Sequence, residues 1–358
     1  MKPRIGIVAA SLEILGGQGV QAKSLIDALV ADGYDVTFIP INPSFPRPLN
    51  RLRRVKYLRT VVNEVLYVPS LRRLEEVDVA HVFSASYMSF LLAPAPAMIA
   101  ARLFGKRVVL HYHSGEADDH LTHWGPLVHP WLRLADEIVV PSTFLAGVFR
   151  RHGYATRVIP NMVDLSRFVW RDRQPLRPRL LSTRNLEPYY RIDVILDAFA
   201  TLKRRYPQAT LTVVGYGSQR DVLRTRAVEG VRFLGRVEPH QMPRVCADAD
   251  IFLNASVLDN QPVSILEAFA SGLPVVTTGV GDIPSLVRDG ESGVIVPVAD
   301  PDALARAVST LLENPQQALA MARNARELVS GFTWEAVRPL WAAAYASAAP
   351  VTGGVLAT

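Results

Sequence analysis

Two acids interrupt an otherwise apolar stretch between Asn254 and Pro284. Asp259 stands in a loop, and Glu267 follows after seven intervening residues, set among Ile265, Leu266, Ala268 and Phe269. Burying an unpaired carboxylate is costly, so an acid in such surroundings needs a partner or a ligand. The plainer reading is a helix-capping Asp and a solvated Glu. His111 and His113 lie on a second apolar run, and because strand side chains alternate, both fall on one face. They suit a ligand site at a strand end or a structural place in the core. A metal site is a further option, but no other ligand spacing supports it. Gly16, Gly17, Gln18 and Gly19 follow the first apolar run, and Gly215 and Gly217 follow a later one. A glycine turn between a strand and a helix exposes backbone N–H groups that can hold an anion. The first cluster is not the dinucleotide fingerprint Gly-x-Gly-x-x-Gly, and a simple tight turn is the alternative.

Strands have to end near these residues if they are to meet. Apolar runs of strand length occur at 5–10, 36–39, 79–83, 107–115 and 135–142. A second set begins at 179, 210 and 231 and continues at 251–254 and 274–277. Between the last two, 262–271 reads as a helix with Pro262 in its first turn and Gly272 just past its end. Its apolar Val263, Leu266 and Phe269 follow helical spacing. Alternating strands and helices predict an α/β chain of parallel sheets, which bind ligands at the carboxyl ends of their strands. The apolar run 87–104 carries Pro94, Pro96 and Arg102, and reads as a buried or interfacial helix rather than a spanning one.

The spacing around the two acids resembles the signature of the retaining, nucleotide-sugar-dependent glycosyltransferases of family four. That signature is an acid, seven residues, a Glu, then a small-residue helix end and a Gly-x-Pro-Val-Val strand. Ser271, Gly272, Leu273, Pro274, Val275 and Val276 match its end, and Gly281, Asp282, Ile283 and Pro284 are similar to the turn that follows. Asp259 departs from the Glu that most relatives carry. Ile159, Pro160, Asn161, Val163 and Asp164 resemble the motif that precedes the family's interdomain linker.

The resemblance implies the GT-B fold, two doubly wound Rossmann-like domains facing across a cleft. The acceptor domain would span 1–165, the linker 166–178 and the donor domain 179–333. A helix at about 334–349 would cross back, and 350–358 reads as a disordered tail. On the same resemblance, Glu267 would bind the ribose hydroxyls. Asp259, with the backbone of Asn260 and Gln261 ahead of Pro262, would position the transferred sugar. Arg184 would hold the donor phosphates. The family's second cation, from a Lys-Gly pair, is absent here, and Arg191 could replace it. Gly215 and Gly217 match a donor-binding Gly-x-Gly loop, Arg236 and Val237 a turn at the nucleobase, and Gly16 to Gly19 the loop over the diphosphate. His113 would approach the donor sugar, with His111 a weaker match. No metal and no cofactor are implied.

The totals bound the rest. A chain of 358 residues normally forms two domains, and 49% apolar with 20% charged residues is ordinary for a soluble α/β protein. The single cysteine, Cys246, excludes an internal disulfide and a multi-cysteine zinc site. The chain opens on a strand without a secretory signal's apolar core, so a cytoplasmic place is expected, with the inner face of the plasma membrane as an option. The formal net charge is +6, but no nucleic-acid-binding motif accompanies it. Arg47, Arg51, Arg53, Arg54, Lys56 and Arg59 fall together without an acid, with apolar residues interleaved. Segment 47–73 therefore suits either an anionic membrane surface or a solvated basic helix. The expected activity is sugar transfer from a nucleotide-sugar, UDP by family frequency with GDP as the alternative, to a hydroxyl on a glycan, a lipid-linked or a small acceptor. The competing reading is an inactive GT-B partner of an active transferase. An epimerase or phosphorylase on the same fold is a third, although Lys106 and Lys203 are in no pyridoxal-binding context.

Overall fold

The computed structural model describes residues 2–11, 17–45 and 55–346. Gly16, Arg47, Arg51, Arg53, Arg54 and the tail 350–358 lie outside the described residues. The chain forms two compact units, one of Met1–Pro160 with Arg338–Thr358, the other of Asn161–Val337.

The first unit is built on β1 (Ile5–Ala9), β2 (Val36–Pro40), β3 (Val79–Phe83), β4 (Arg107–His111), β5 (Glu137–Val140) and β6 (Arg157–Val158). They pair in the order β2-β1-β3-β4-β5-β6, all parallel, with Ile5 opposite both Val36 and Val79. β1, β3 and β5 are buried along their whole length. That follows from helices covering both faces, which makes such strands continuous apolar runs rather than alternating ones. The run 87–104 becomes the helices Met88–Leu92 and Pro94–Leu103, which bury Phe90, Ala97, Met98 and Ala101 in this core. No helix among the described residues is long and apolar enough to cross a membrane. The last helix, Trp334–Ala346, buries Trp341 and Tyr345, and the Arg107 Nε donates to the Ala344 carbonyl at 3.1 Å.

The second unit repeats the plan with β7 (Arg179–Ser182), β8 (Thr210–Val214), β9 (Val231–Gly235), β10 (Ile251–Asn254), β11 (Val275–Thr278) and β12 (Val294–Val296). Their order is β12-β11-β10-β7-β8-β9, again all parallel. The helix Ile192–Arg205 shows why its sequence folds this way. Ile192, Ile195, Leu196, Phe199 and Leu202 bury one face, and Lys203, Arg204 and Arg205 complement the dipole at its carboxyl end.

Segment 161–178 packs within this second unit. Arg173 is 3% exposed, and its guanidinium donates to the carbonyls of Ala249 (2.9 Å), Arg171 (2.9 Å), Cys246 (3.0 Å) and Ser271. Burial, reinforced by neighbouring Arg171, pushes its pKa down to about 10. The bonds tie this segment to the start of β10 and the end of the helix Val263–Ala270. Arg173→Ala would leave those carbonyls unpaired, and should cost about 3 kcal/mol in urea denaturation. The exposed Arg177→Ala should change stability by less than about 0.5 kcal/mol. Equal effects would contradict this role for Arg173.

Candidate functional site

In the second sheet the strand order reverses between β7 and β10, the position where open α/β sheets form a ligand crevice. Arg184 lies just past the carboxyl end of β7, and Asp259 in the loop after β10. Their side chains form an ion pair across that point, each 10% exposed. Arg184 also donates to the Ser264 hydroxyl at 3.2 Å, and its Cζ lies 4.2 Å from the centre of the Tyr190 ring. Burial works against its charge, but Asp259 and Tyr190 outweigh it and hold the pKa above the usual value. The Arg184 Nε is buried with no hydrogen-bond partner among the described residues.

The helix-capping reading of Asp259 does not hold. The helix Val263–Ala270 starts after an extended Pro262 and has no side-chain cap, so Pro262 is not in its first turn as expected. The Asp259 Oδ1 instead accepts from the Asn260 N–H at 3.0 Å, which closes the loop on itself. Gly281, at φ +58°, fixes the loop from outside, since a Cβ there would run into the Asp259 carbonyl. Glu267 sits one turn beyond Ser264 on the helix and is partly buried rather than solvated. Among the described residues nothing donates to its carboxylate. Burial raises its pKa to about 7, with Arg167 opposing the shift.

The flanking residues divide. Gly215 and Gly217 follow β8, and a Cβ on either would strike the Arg184 or Leu186 carbonyl. The Gly215 N–H is spent on the Gly235 carbonyl at 2.9 Å, so this glycine serves close packing beneath Arg184. Arg191 takes a left-handed backbone (φ +48°) ahead of the helix Ile192–Arg205, and its guanidinium is forked onto Asp193 at 3.0 Å. Gln261 accepts from the Asn161 N–H at 2.6 Å, and its carbonyl accepts from the Asn161 amide at 2.8 Å, a clamp onto segment 161–178. Arg236 stands 3.5 Å from Glu238 after β9, and Val237 packs partly buried on the core. Sequence reading missed Ser264 and Tyr190. An apolar neighbourhood could have hinted at the buried Ser264, but nothing local marks the Tyr190 contact.

In the first sheet the order reverses between β1 and β3. Gly17, Gln18 and Gly19, expected in a loop, form the first turn of the helix Gly17–Ala31 instead. The first N–H groups of any helix lack intrahelical partners, so this turn keeps free donors without needing glycine's special backbone. The Gln18 amide reaches the Ser84 carbonyl just past β3, which closes the reversal point. His111 ends β4, and His113 follows two residues on. His111 is held in a chain, its Nδ1 3.2 Å from His81 Nε2, with His81 Nδ1 2.8 Å from the Tyr345 hydroxyl. His113 stacks on Phe83, and the His111 and His113 ring centres are 4.0 Å apart. Burial pushes His81 and His113 down to about 3, and His111 well below its ordinary value. Among the described residues no cluster of His, Cys, Asp and Glu is arranged to hold a metal ion.

Comparison with known proteins adds a sequence-level finding. Residues 15–167 match the family described as Glycosyltransferase Family 4, and residues 177–314 match Glycosyl transferases group 1. The chain is 29% identical to a glycogen synthase of Mycobacterium tuberculosis over 277 residues, covering 72% of this chain and 67% of that one. It is 30% identical over 282 residues to a GDP-mannose-dependent alpha-(1-6)-phosphatidylinositol monomannoside mannosyltransferase of Mycolicibacterium smegmatis, covering 70% and 72%. The solved structure of Anabaena HepE in complex with UDP-glucose superimposes with a TM-score of 0.72 at 20% identity, covering 94% and 98%.

The buried histidines make a pH prediction. His81 and His113 are depressed from 6.5 to about 3, so below pH 6.5 the unfolded chain takes up protons that the native state refuses. Their contribution is complete above pH 6.5 and is lost as pH falls towards 3. The slope is about 1.4 kcal/mol per pH unit for each histidine. Urea denaturation at pH 7 and pH 5 should show the loss, and His81→Asn should shrink it. Identical wild-type stability at the two values would contradict the assignment.

Proposed function

Because the chain belongs to glycosyltransferase family four, a retaining family of GT-B architecture that draws on nucleotide-sugars, we propose that its donor is a UDP-sugar and that its second unit binds it. The acceptor is a hydroxyl on an envelope lipid or a growing polysaccharide. The observation that carries the site assignment is the Arg184–Asp259 pair at the reversal point of the second sheet.

Arg184 faces the leaving diphosphate. Its charge is held in place before reaction by Asp259, Ser264 and Tyr190. Negative charge grows on the diphosphate as the glycosidic bond breaks, so a fixed cation there stabilises the transition state more than the ground state. This supplies the positive charge that a metal ion would otherwise bring. Asp259 and the Asn260 backbone orient the sugar. Glu267, which lacks a protein partner among the described residues, accepts from the ribose hydroxyls once ionised. Its pKa of about 7 makes donor binding strengthen as pH rises through neutrality. Arg191 is the weaker candidate for a second cation, since Asp193 already neutralises it. The first unit takes the acceptor, with Gln18 and His113 at the carboxyl end of its sheet as the candidate contacts.

The two kinds of relative support different nucleotides. HepE is solved with UDP-glucose, whereas the Mycolicibacterium relative is named for GDP-mannose, which favours a GDP-mannose donor as the second reading. Nucleotide release across a panel of UDP-, GDP- and ADP-sugars at pH 8 decides between them. One donor should turn over, and Glu267→Ala and Arg184→Ala should each lower kcat/KM for it by about 100-fold or more. Wild-type turnover in either variant would remove that residue from the site. Nucleotide binding without turnover of any donor would instead support the inactive-partner reading.

A further inference from the structure

Four side chains of the first unit line up in one row. Tyr345 of the last helix is 3% exposed, and its hydroxyl lies 2.8 Å from His81 Nδ1 on β3. His81 Nε2 lies 3.2 Å from His111 Nδ1 at the end of β4. The His113 ring follows, its centre 4.0 Å from that of His111. In both His111 and His113 the Nε2 atom is buried with no hydrogen-bond partner among the described residues. Burial keeps all three imidazoles uncharged, so each has one N–H and one lone pair. A bond between two such rings fixes the proton position in both.

The phenol sets the direction. A hydroxyl has one hydrogen, and leaving it unpaired in the core is costly. His81 Nδ1 is the only acceptor bonded to the Tyr345 hydroxyl among the described residues, so Tyr345 donates. His81 then carries its proton on Nε2 and donates to His111 Nδ1, which leaves the His111 proton on Nε2. The two buried orphans are therefore complementary, a fixed donor on His111 beside an unpaired nitrogen on His113. His113 is half-buried at the end of the row, and its Nδ1 is not among the buried unpaired atoms. We propose that Tyr345, His81 and His111 form a one-way hydrogen-bond relay that ends, through a turn of the His113 ring, on His113 Nε2 and holds the His113 proton on Nδ1. His113 then meets a substrate oxygen as a hydrogen-bond donor and not as a base. Tyr345, His81 and His111 are positioning residues that act through it. The encounter with substrate rests on the sugar-transfer reading proposed above, whereas the relay rests on contacts within the first unit.

Nuclear magnetic resonance of the full chain, labelled with nitrogen-15 in histidine and assigned by single substitutions, reads the ring protons directly. At pH 8 they should sit on Nε2 of His81 and His111 and on Nδ1 of His113. Tyr345→Phe removes the first hydrogen of the relay but keeps the ring that stacks on Trp341, so the variant should fold, as circular dichroism checks. Its His113 should show both tautomers, and kcat/KM for the sugar donor that the wild type turns over should fall about tenfold. Tyr34→Phe, which alters a ring edge-on to Tyr345 outside the row, should match wild type in both readouts. A wild-type His113 proton on Nε2, unchanged ring protons in Tyr345→Phe, or wild-type turnover alongside a mixed His113 would overturn the proposal. The ring protons are read without substrate, so they decide the relay even where no donor turns over.

Discussion

The site in the second unit depends on one buried ion pair. Neither Arg184 nor Asp259 can be held at 10% exposure alone, because an unpaired charge there would carry its full desolvation cost. Each therefore fixes the other, and through them two loops on opposite sides of the sheet's reversal point take one arrangement. The contacts around the pair serve that end. Ser264 and Tyr190 complete the guanidinium's surroundings, Gly281 presses on the Asp259 backbone, and Gly215 and Gly217 pack beneath Arg184 and Leu186. Removing either charge would leave its partner buried and uncompensated, so the pair is fixed by the protein's own contacts.

The first unit handles the same topological problem with neutral groups. At its reversal point Gln18 bonds to the Ser84 carbonyl, and its histidines are kept uncharged by burial. The contrast agrees with the division of labour proposed above, an anionic donor at the second unit and a hydroxyl acceptor at the first. A diphosphate needs a cation already in place, whereas a sugar hydroxyl needs donors and acceptors that do not attract competing ions. Glu267 lies between these cases. Burial keeps its proton close to neutrality, so its charge appears only at higher pH or with a ligand to hold it.

Much of this was legible in the sequence, because local pattern fixes local structure. Parallel strands covered on both faces are largely apolar, and the runs at 5–10, 79–83 and 251–254 marked three of them to within a residue. The seven-residue gap between Asp259 and Glu267 located the loop and helix correctly. The contacts that give those residues their environment were not legible. Arg184 and Asp259 are 75 residues apart, and His81 meets Tyr345 across 264. Such partners are chosen by sheet order, which no local signal carries. Backbone details also escaped. Gly17 to Gly19 read as a loop because glycine weakens helices, yet they form the first turn of a helix. Arg191 sits in a left-handed position that nothing in its side chain announces.

The most direct measurement is a double-mutant cycle on donor turnover with Arg184→Met, Asp259→Asn and the two combined. If the pair acts as one unit, each single change lowers kcat/KM about 100-fold and the double change costs little more than either, a coupling of about 2 kcal/mol or greater. Losses that simply multiply would contradict the claim, because they would mean that Arg184 and Asp259 contribute independently.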